Sequence, residues 1–338
     1  MRIAVTGASG RVGRAVAAEL SSRGHDVVGL DLVPPRTPLD GVEYLVGDLS
    51  DLPIADPRLA GVEAVAHLGA FMSWSPADAE RILSANTDAT VHLVRALEGS
   101  AVRRFVLAST GEVYPENAPQ YQPLDEDHPR LPTTWYGLSK VLAEEVVAFA
   151  GRTLDWSTVV LRFSHTQDPA ELLDPDSFFS GPRFFASRRL ARERAAGHAA
   201  VVAALEPFAD DDSTLLVASR EDGAPVQMGI LGTPDLAHGV VLALEAETTG
   251  HEVIGLGPDE PLDLGAFARD LAAAAGLGTV DVVLPVSAPS YTTSNARARE
   301  LLGFAPRLSR DDLIRLAVAA RTERLAAAAG GPGASAPS

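Results

Sequence analysis

Through the first half of the chain, short apolar runs alternate with longer segments whose apolar positions recur every three to four residues. The runs cover residues 3–5, 27–31, 42–46, 63–70, 103–108 and 156–161. Each is too short for a helix and predicts a strand buried on both faces. Between them, residues 15–20, about 76–97 and the stretch opening at Tyr136 carry helical spacing. Strands and helices in alternation predict a parallel, doubly wound α/β sheet. Beyond Leu161 the pattern weakens. Residues 164–225 read as irregular apart from one helical run to about Leu205. Later segments read as a helix over 234–245, a strand over 251–256 that returns to the sheet, a helix over 264–275 and a strand over 280–284. A helix ending at Leu302 and a closing helix over 311–327 complete the chain.

The first strand runs into a glycine loop, with Gly7, Gly10 and Gly13 spaced G-x-x-G-x-x-G ahead of a helix. Glycines let a backbone approach a pyrophosphate, and the N–H groups opening the helix face its charge. Gly7, Ser9, Gly10, Arg11, Val12 and Gly13 are therefore candidate dinucleotide ligands. Asp31 ends the second strand, where a carboxylate accepts hydrogen bonds from both adenosine ribose hydroxyls. It would repel a 2′-phosphate, which favours NAD over NADP; the nearby Arg36 weighs the other way. Asp48, followed by Leu49, ends the third strand and either meets an adenine amine or caps the next turn. Leu68, Gly69 and Ala70 end the fourth, and small residues there let a cofactor lie across the strand ends. His67 reads as a packed strand-end residue. Asn86, mid-helix, bridges to the cofactor or faces a neighbour.

Tyr136 and Lys140 lie four residues apart, on one face of a helix. A free tyrosine, with a pKa of about 10, is a poor base near neutrality. A neighbouring ammonium stabilises the phenolate and lowers that value. Thr110 ends the fifth strand, on the edge where such sheets bind ligands. Thr110 would hold a substrate oxygen, Tyr136 would transfer the proton, and Lys140 would tune Tyr136 and hold a ribose. Glu112 is either a second acid/base or a residue that orients the loop. His165 is either a substrate contact or a buried strand-end residue. Arg183, beside a Gly-Pro turn, is the best candidate for a further substrate contact. The arginines at 188, 189, 192 and 194 form an anion clamp, a solvated helix face or a dimer contact. Phe178, Phe179, Phe184 and Phe185 read as lid packing in preference to sugar stacking.

The 338 residues include 28 Lys and Arg against 45 Asp and Glu, a net charge of −17. That balance argues against a general nucleic-acid or membrane-surface binder, which needs a basic footprint. No cysteine is present, so thiolate metal sites are excluded. The eight histidines show no metal-ligand spacing, and no metal is expected. With no signal-peptide pattern or membrane-length apolar run, a cytoplasmic protein is expected. The Gly- and Pro-rich end, residues 329–338, reads as a disordered tail.

Taken in order, these motifs resemble the extended short-chain dehydrogenase/reductase superfamily, and within it the NAD-dependent epimerase/dehydratase family. The resemblance is carried by Thr6 to Gly13, Asp31, Asp48 with Leu49, and His67 to Ala70. Ser109 to Tyr114, Tyr136 with Lys140, and Leu161 with Arg162 continue it. Asp235 to Ala237 and Leu302 to Pro306 complete it. It implies a Rossmann-type domain over 1–163, completed by about 226–256. A smaller C-terminal substrate domain would span 164–225 and 257–328. It also implies tightly held NAD and a homodimer. Some features depart from the nucleotide-sugar members. No Asn follows Leu161-Arg162, and no Arg-Asp pair precedes Asp235. Gly111 stands where some dehydratases carry the acid that expels water, whereas Glu112 matches a Glu of family decarboxylases and some epimerases. The expected activity is NAD-dependent epimerisation of a sugar, with or without a nucleotide, through a transient keto intermediate. The alternatives are an NAD-dependent dehydrogenase or ketoreductase on a sugar or other hydroxy/keto substrate, and a catalytically silent NAD-binding regulator.

Overall fold

The computed structural model describes residues 1–115, 118–258, 260–285, 288 and 290–329. The tail expected from residue 330 onward lies outside the described residues. The chain divides into two compact units. The first comprises Met1–Thr166, Gly229–Pro261 and Tyr291–Pro306. The second comprises Gln167–Met228, Leu262–Ser290 and the chain from Arg307.

The first unit is built on strands β1 (Arg2–Thr6), β2 (Asp26–Asp31), β3 (Val42–Val46), β4 (Ala64–His67), β5 (Arg104–Thr110) and β6 (Ser157–Phe163). A seventh strand, His251–Leu256, pairs with β6. All pairs are parallel, in the order His251–Leu256, β6, β5, β4, β1, β2, β3. This is the Rossmann-type doubly wound sheet. The strand order reverses between β1 and β4, so a crevice opens at their carboxyl ends.

The continuous apolar runs are explained by two cores, one on each face, filled by alternate residues of each strand. Ile3, Val5, Val27, Ala64, Ala66, Val106 and Val159 face one way, toward Val16 and Leu20 of helix α1 (Arg11–Ser22) and Val240 of the helix Thr233–Glu245. Ala4, Val28, Val65, Phe105, Leu107 and Val160 face the other way, toward Leu93 and Val147.

Three departures from the sequence pattern have identifiable causes. The helix expected over 76–97 is three pieces: α2 (Ala79–Leu83), a π-helical turn at Ser84–Asp88 and α3 (Ala89–Ala96). The extra residue in that turn re-aims Asn86 inward. Residues 291–306 belong to the first unit, because Ala298, Leu302 and Phe304 insert into its core. Within 164–225, read as irregular, Thr214–Arg220 is a strand paired in parallel with Gly278–Leu284. Its apolar residues, Leu215 to Val217, are all buried.

The second unit packs that pair with Phe184, Phe185 and Phe267, all fully buried. The expected Arg-rich helix is two, Ala186–Ala196 and Ala199–Leu205, broken where Gly197 adopts a φ of 75°. Phe184 and Phe185 are core residues of this unit, whereas Phe178 is exposed and Phe179 meets it edge-on.

Candidate active site

The glycine loop joins β1 to α1. Gly7 has a φ of 68°, a left-handed conformation. A Cβ there would stand 2.8 Å from Gly69 Cα, and one at Gly13 would stand 2.1 Å from Gly7 O. Loop, helix start and the end of β4 therefore touch backbone to backbone. The α1 N-cap, Gly10, gives no side-chain cap, so the first-turn N–H groups face outward from a floor without side chains. That construction suits a pyrophosphate.

Asp31 Oδ2 accepts the Ser9 N–H at 2.9 Å, and Ser9 Oγ donates to Val33 O at 2.7 Å. Asp31 thus pins the loop to β2 and keeps acceptor capacity for ribose hydroxyls. Arg11 opens α1, and Val12 packs partly inward against the core. Leu68 and Gly69 both donate their N–H groups to Thr6 Oγ1, at 3.1 and 3.0 Å, while Ala70 is exposed. Asp48 is seen capping. Its Oδ1 accepts from Ser50 N and Ser50 Oγ, and those bonds lower its pKa. Leu49 packs against the core.

Asn86 is a strut. Its Oδ1 accepts from Phe71 N at 2.7 Å, and its Nδ2 donates to Phe71 O at 3.0 Å and to Ser139 Oγ at 2.9 Å. Both amide hydrogens are used within the protein, so the reading in which it faces a neighbour is the one seen. His67 is buried between Thr6 Oγ1, 2.7 Å from Nδ1, and Thr90 Oγ1, 3.0 Å from Nε2. Burial, then the Lys140 charge, pushes its pKa down to about 3.

Helix α4 (Trp135–Thr153) carries Tyr136 and Lys140. Thr134 caps it, taking the Gly137 N–H at 2.9 Å. Gly137 lies so close to the preceding loop that a Cβ would stand 2.3 Å from Glu112 O. Both catalytic candidates are buried. Lys140 Nζ donates to Ala108 O at 2.9 Å and lies 5.8 Å from the Tyr136 ring centroid. The ammonium is thus held two residues before Thr110. Thr110 Oγ1 accepts the Glu112 N–H at 3.2 Å.

The expected lowering of the Tyr136 pKa is reversed by the protein surroundings. Burial, then the Glu112 carboxylate, pushes the phenol up. Burial also lowers Lys140 to about 8, against the opposing pull of Glu144. Dehydration is the largest cause at both groups.

Glu112 Oε1 accepts from Trp74 Nε1 at 2.9 Å, and Oε2 accepts from Thr134 Oγ1 at 2.7 Å. Beneath the site, Glu144 takes the Arg162 guanidinium and the Ser109 hydroxyl, and Arg162 donates to Tyr114 OH at 2.8 Å. Thr110, Glu112, Tyr136 and Lys140 are thus assembled in the first unit, as is His165, which lies tilted against Tyr291. Arg183 belongs to the second unit, where it donates to Gln167 Oε1 at 3.2 Å.

Sequence reasoning missed Trp74, Thr134 and Glu144, and with Glu144 the contact that joins Ser109 to Arg162. The Thr just before a helical run was a legible cap signal. The others pair residues far apart in the chain and carried no local signal.

A family model described as "NAD dependent epimerase/dehydratase family" matches residues 3–180. The chain belongs to this family. It is an enzyme whose cofactor is NAD, and the backbone floor at Gly7 to Gly13 with Asp31 beside it fits that cofactor. A solved short-chain dehydrogenase/reductase superfamily protein from Agrobacterium tumefaciens, with bound NAD, is 45% identical. That match covers 97% of this chain and 99% of that one, with a TM-score of 0.89. Uronate dehydrogenase of Pseudomonas syringae pv. tomato is 30% identical over 166 residues, 48% of this chain and 58% of that one. UDP-glucose 4-epimerase of Lacticaseibacillus casei is 28% identical over 170 residues, 48% and 51% respectively. The matches thus span little more than half the length of those two relatives. Among the described residues, no helix is long and apolar enough to cross a membrane.

Proposed function

We propose that the protein is an NAD-dependent sugar epimerase working through a transient keto intermediate. The observation that carries this reading is the buried Tyr136–Lys140 pair on α4, with Lys140 Nζ held 2.9 Å from Ala108 O, two residues before Thr110. Thr110 Oγ1 orients the substrate oxygen, and Tyr136 Oη takes its proton on oxidation and returns it on reduction. Lys140 stabilises the phenolate as it forms and holds the nicotinamide ribose. Asp31 accepts the adenosine ribose hydroxyls, and the first turn of α1 holds the pyrophosphate. Bound NAD supplies a reversible two-electron acceptor. Glu112 stands beside Tyr136 with both carboxylate oxygens already accepting hydrogen bonds, which supports a role in orienting the loop over one as a second acid/base. His165, in the first unit with this pair, is the proposed substrate contact.

The uronate dehydrogenase among the relatives favours a second reading, net oxidation of a sugar. Turnover with NAD far below substrate concentration separates the two. Continued product formation without NADH accumulation supports epimerisation. Product that stops at one equivalent of NADH refutes it in favour of a dehydrogenase.

We also propose a homodimer formed on α4 and the adjoining α3. Trp135, Leu142 and Phe149 recur every seven residues and are exposed, as is Val91 of α3. A monomer mass by light scattering at micromolar concentration would refute the dimer. Leu142→Glu with Phe149→Glu is expected to give that mass from a wild-type dimer.

A further inference from the structure

Lys140 is the only lysine in the chain; every other member of its 28 Lys and Arg residues is an arginine. A guanidinium stays protonated wherever a fold puts it, whereas a buried ammonium gives up its proton unless something opposes the cost of burial. Lys140 is buried, so the charge at this position depends on its neighbours.

One helical turn further along α4 stands Glu144, also buried. Residues four apart share a helix face, which places the carboxylate next in line after Tyr136 and Lys140. Its Oε1 accepts from Ser109 Oγ at 2.5 Å and Arg162 Nε at 3.1 Å, and its Oε2 accepts from Arg162 Nη2 at 2.9 Å and Arg130 Nη1 at 3.2 Å. Ser109 and Arg162 are register partners on β5 and β6, so this one carboxylate ties both strands to α4. Ser109 also stands between Ala108, whose carbonyl takes the Lys140 ammonium, and Thr110.

The other ionisable groups around the pair leave this role to Glu144. From β4, His67 is kept neutral by burial. From the seventh strand, His251 is lowered by burial against the pull of Glu144. Tyr114, beyond Arg162, is pushed up to about 12, chiefly by burial. Glu126 Oε1 accepts the Gly255 N–H at 2.6 Å, and Glu112 acts on Tyr136. Lys140 itself is drawn down by burial and pulled back up by Glu144.

We propose that Glu144 is a positioning residue for the proton-transfer pair, the counter-charge that keeps Lys140 an ammonium. The Ser109 and arginine donors fix the carboxylate in its charged, acceptor-only form. Its removal leaves Lys140 and Arg162, two buried cations, without the anion they share. This inference rests on the proposed proton transfer at Tyr136, which uses a charged Lys140.

The test uses the full chain loaded with NAD, produced with lysine labelled at 13Cε and titrated with no substrate present. One lysine gives one resonance, so the titration from about pH 6 to 10 reads Lys140 without assignment. Wild type is expected to titrate near 8. Glu144→Gln keeps the side-chain length and removes the charge. Unit charges one helical turn apart, about 6 Å, at an effective dielectric of about 20 move each other's midpoints by about two pH units. Arg162 and Arg130 offset part of that, so Glu144→Gln is expected to lower the midpoint by roughly one pH unit or more. A merely loosened helix acts the other way, because water reaching the ammonium moves the midpoint up toward its ordinary 10.5. Glu144→Asp keeps the charge and is expected to hold the midpoint within roughly half a pH unit of wild type even where the melting temperature falls. If Glu144→Gln alone fails to fold, Glu144→Gln with Arg162→Gln removes both buried charges, and a smaller fall is expected. A midpoint unmoved or raised in the folded Gln variant, single or paired, overturns the inference, as does an Asp variant that falls as far as Gln. Either result leaves the proton-transfer reading standing; that reading fails instead if Lys140→Met turns over as fast as wild type.

Discussion

Lys140 is a cation that the fold tolerates at a cost, and removing its charge should stabilise the protein while silencing it. Burial lowers its pKa from 10.5 to about 8. Near pH 7 the group is protonated in both the folded and unfolded chains. The fold then bears the whole difference, about 3 kcal/mol at 1.36 kcal/mol per unit. The folded state binds fewer protons between pH 8 and 10.5, so wild-type stability rises through that window and the penalty is gone above it. Lys140→Met keeps a long apolar side chain without the charge, but it leaves Ala108 O without the Nζ donor, a loss of about 1–2 kcal/mol. The variant should therefore exceed wild type by about 1–2 kcal/mol at pH 7 in urea titrations monitored by circular dichroism. That lead should shrink by about 2 kcal/mol on moving to pH 9.5, so the order of the two proteins closes or reverses. Turnover should be lost at both pH values. A lead that does not change with pH would refute the argument that Lys140 is a dehydrated ammonium.

Three other perturbations address the supports of the site. Asn86→Ala leaves Phe71 N and Ser139 Oγ short of partners, and it should cost about 2–4 kcal/mol in urea unfolding and lower kcat by roughly tenfold or more through misplacement of α4; wild-type stability would contradict the strut role. Gly137→Ala forces a methyl against Glu112 O, and the melting temperature should fall by an amount equivalent to about 1–3 kcal/mol, with kcat falling more than NAD affinity. His67, its pKa lowered to about 3, should stay neutral from pH 5 to 8 with its proton on Nε2 in nitrogen-detected NMR. Its contribution is fully present above pH 6.5 and lost as pH falls toward 3, so His67→Phe should narrow its stability gap to wild type by about 3 kcal/mol between pH 7 and 4.

The strands of the first unit were legible because each is buried on both faces, which forces an unbroken apolar run such as Ile3 to Val5. The pairing of Tyr136 with Lys140 was legible because one helical turn places them together whatever surrounds them. What the sequence concealed was set by distant partners. Thr214–Arg220 carries an apolar run but is a strand only by pairing with a segment more than sixty residues on. The π-helical turn at Ser84–Asp88 has no compositional mark, since Asn86 is drawn inward by Phe71 and Ser139. The direction of the Tyr136 shift was misjudged because a Tyr-x-x-x-Lys spacing states the attraction and says nothing of burial.

The struts connect into one chain of hydrogen bonds whose proton positions follow from the glycine loop. Thr6 Oγ1 already accepts two N–H groups, from Leu68 and Gly69, so its own proton goes to His67 Nδ1. His67 must then carry its proton on Nε2, which donates to Thr90 Oγ1. The Thr90 hydroxyl in turn donates to Asn86 O at 2.6 Å. The Asn86 amide donates to Ser139 Oγ, and Ser139 donates to Tyr136 O at 2.7 Å. Each group has one consistent role, and every member is buried. Such a chain stiffens through low local dielectric and leaves few alternative arrangements. The backbone proposed to cradle the cofactor and the helix that carries Tyr136 are thereby held in one register, which is what the proposed proton and hydride transfer at a single substrate carbon would require. A second His67 proton would break the chain, because Nδ1 would then donate toward a hydroxyl whose proton already points at it. The deep burial of His67 that keeps it neutral is, on this argument, part of what positions Tyr136.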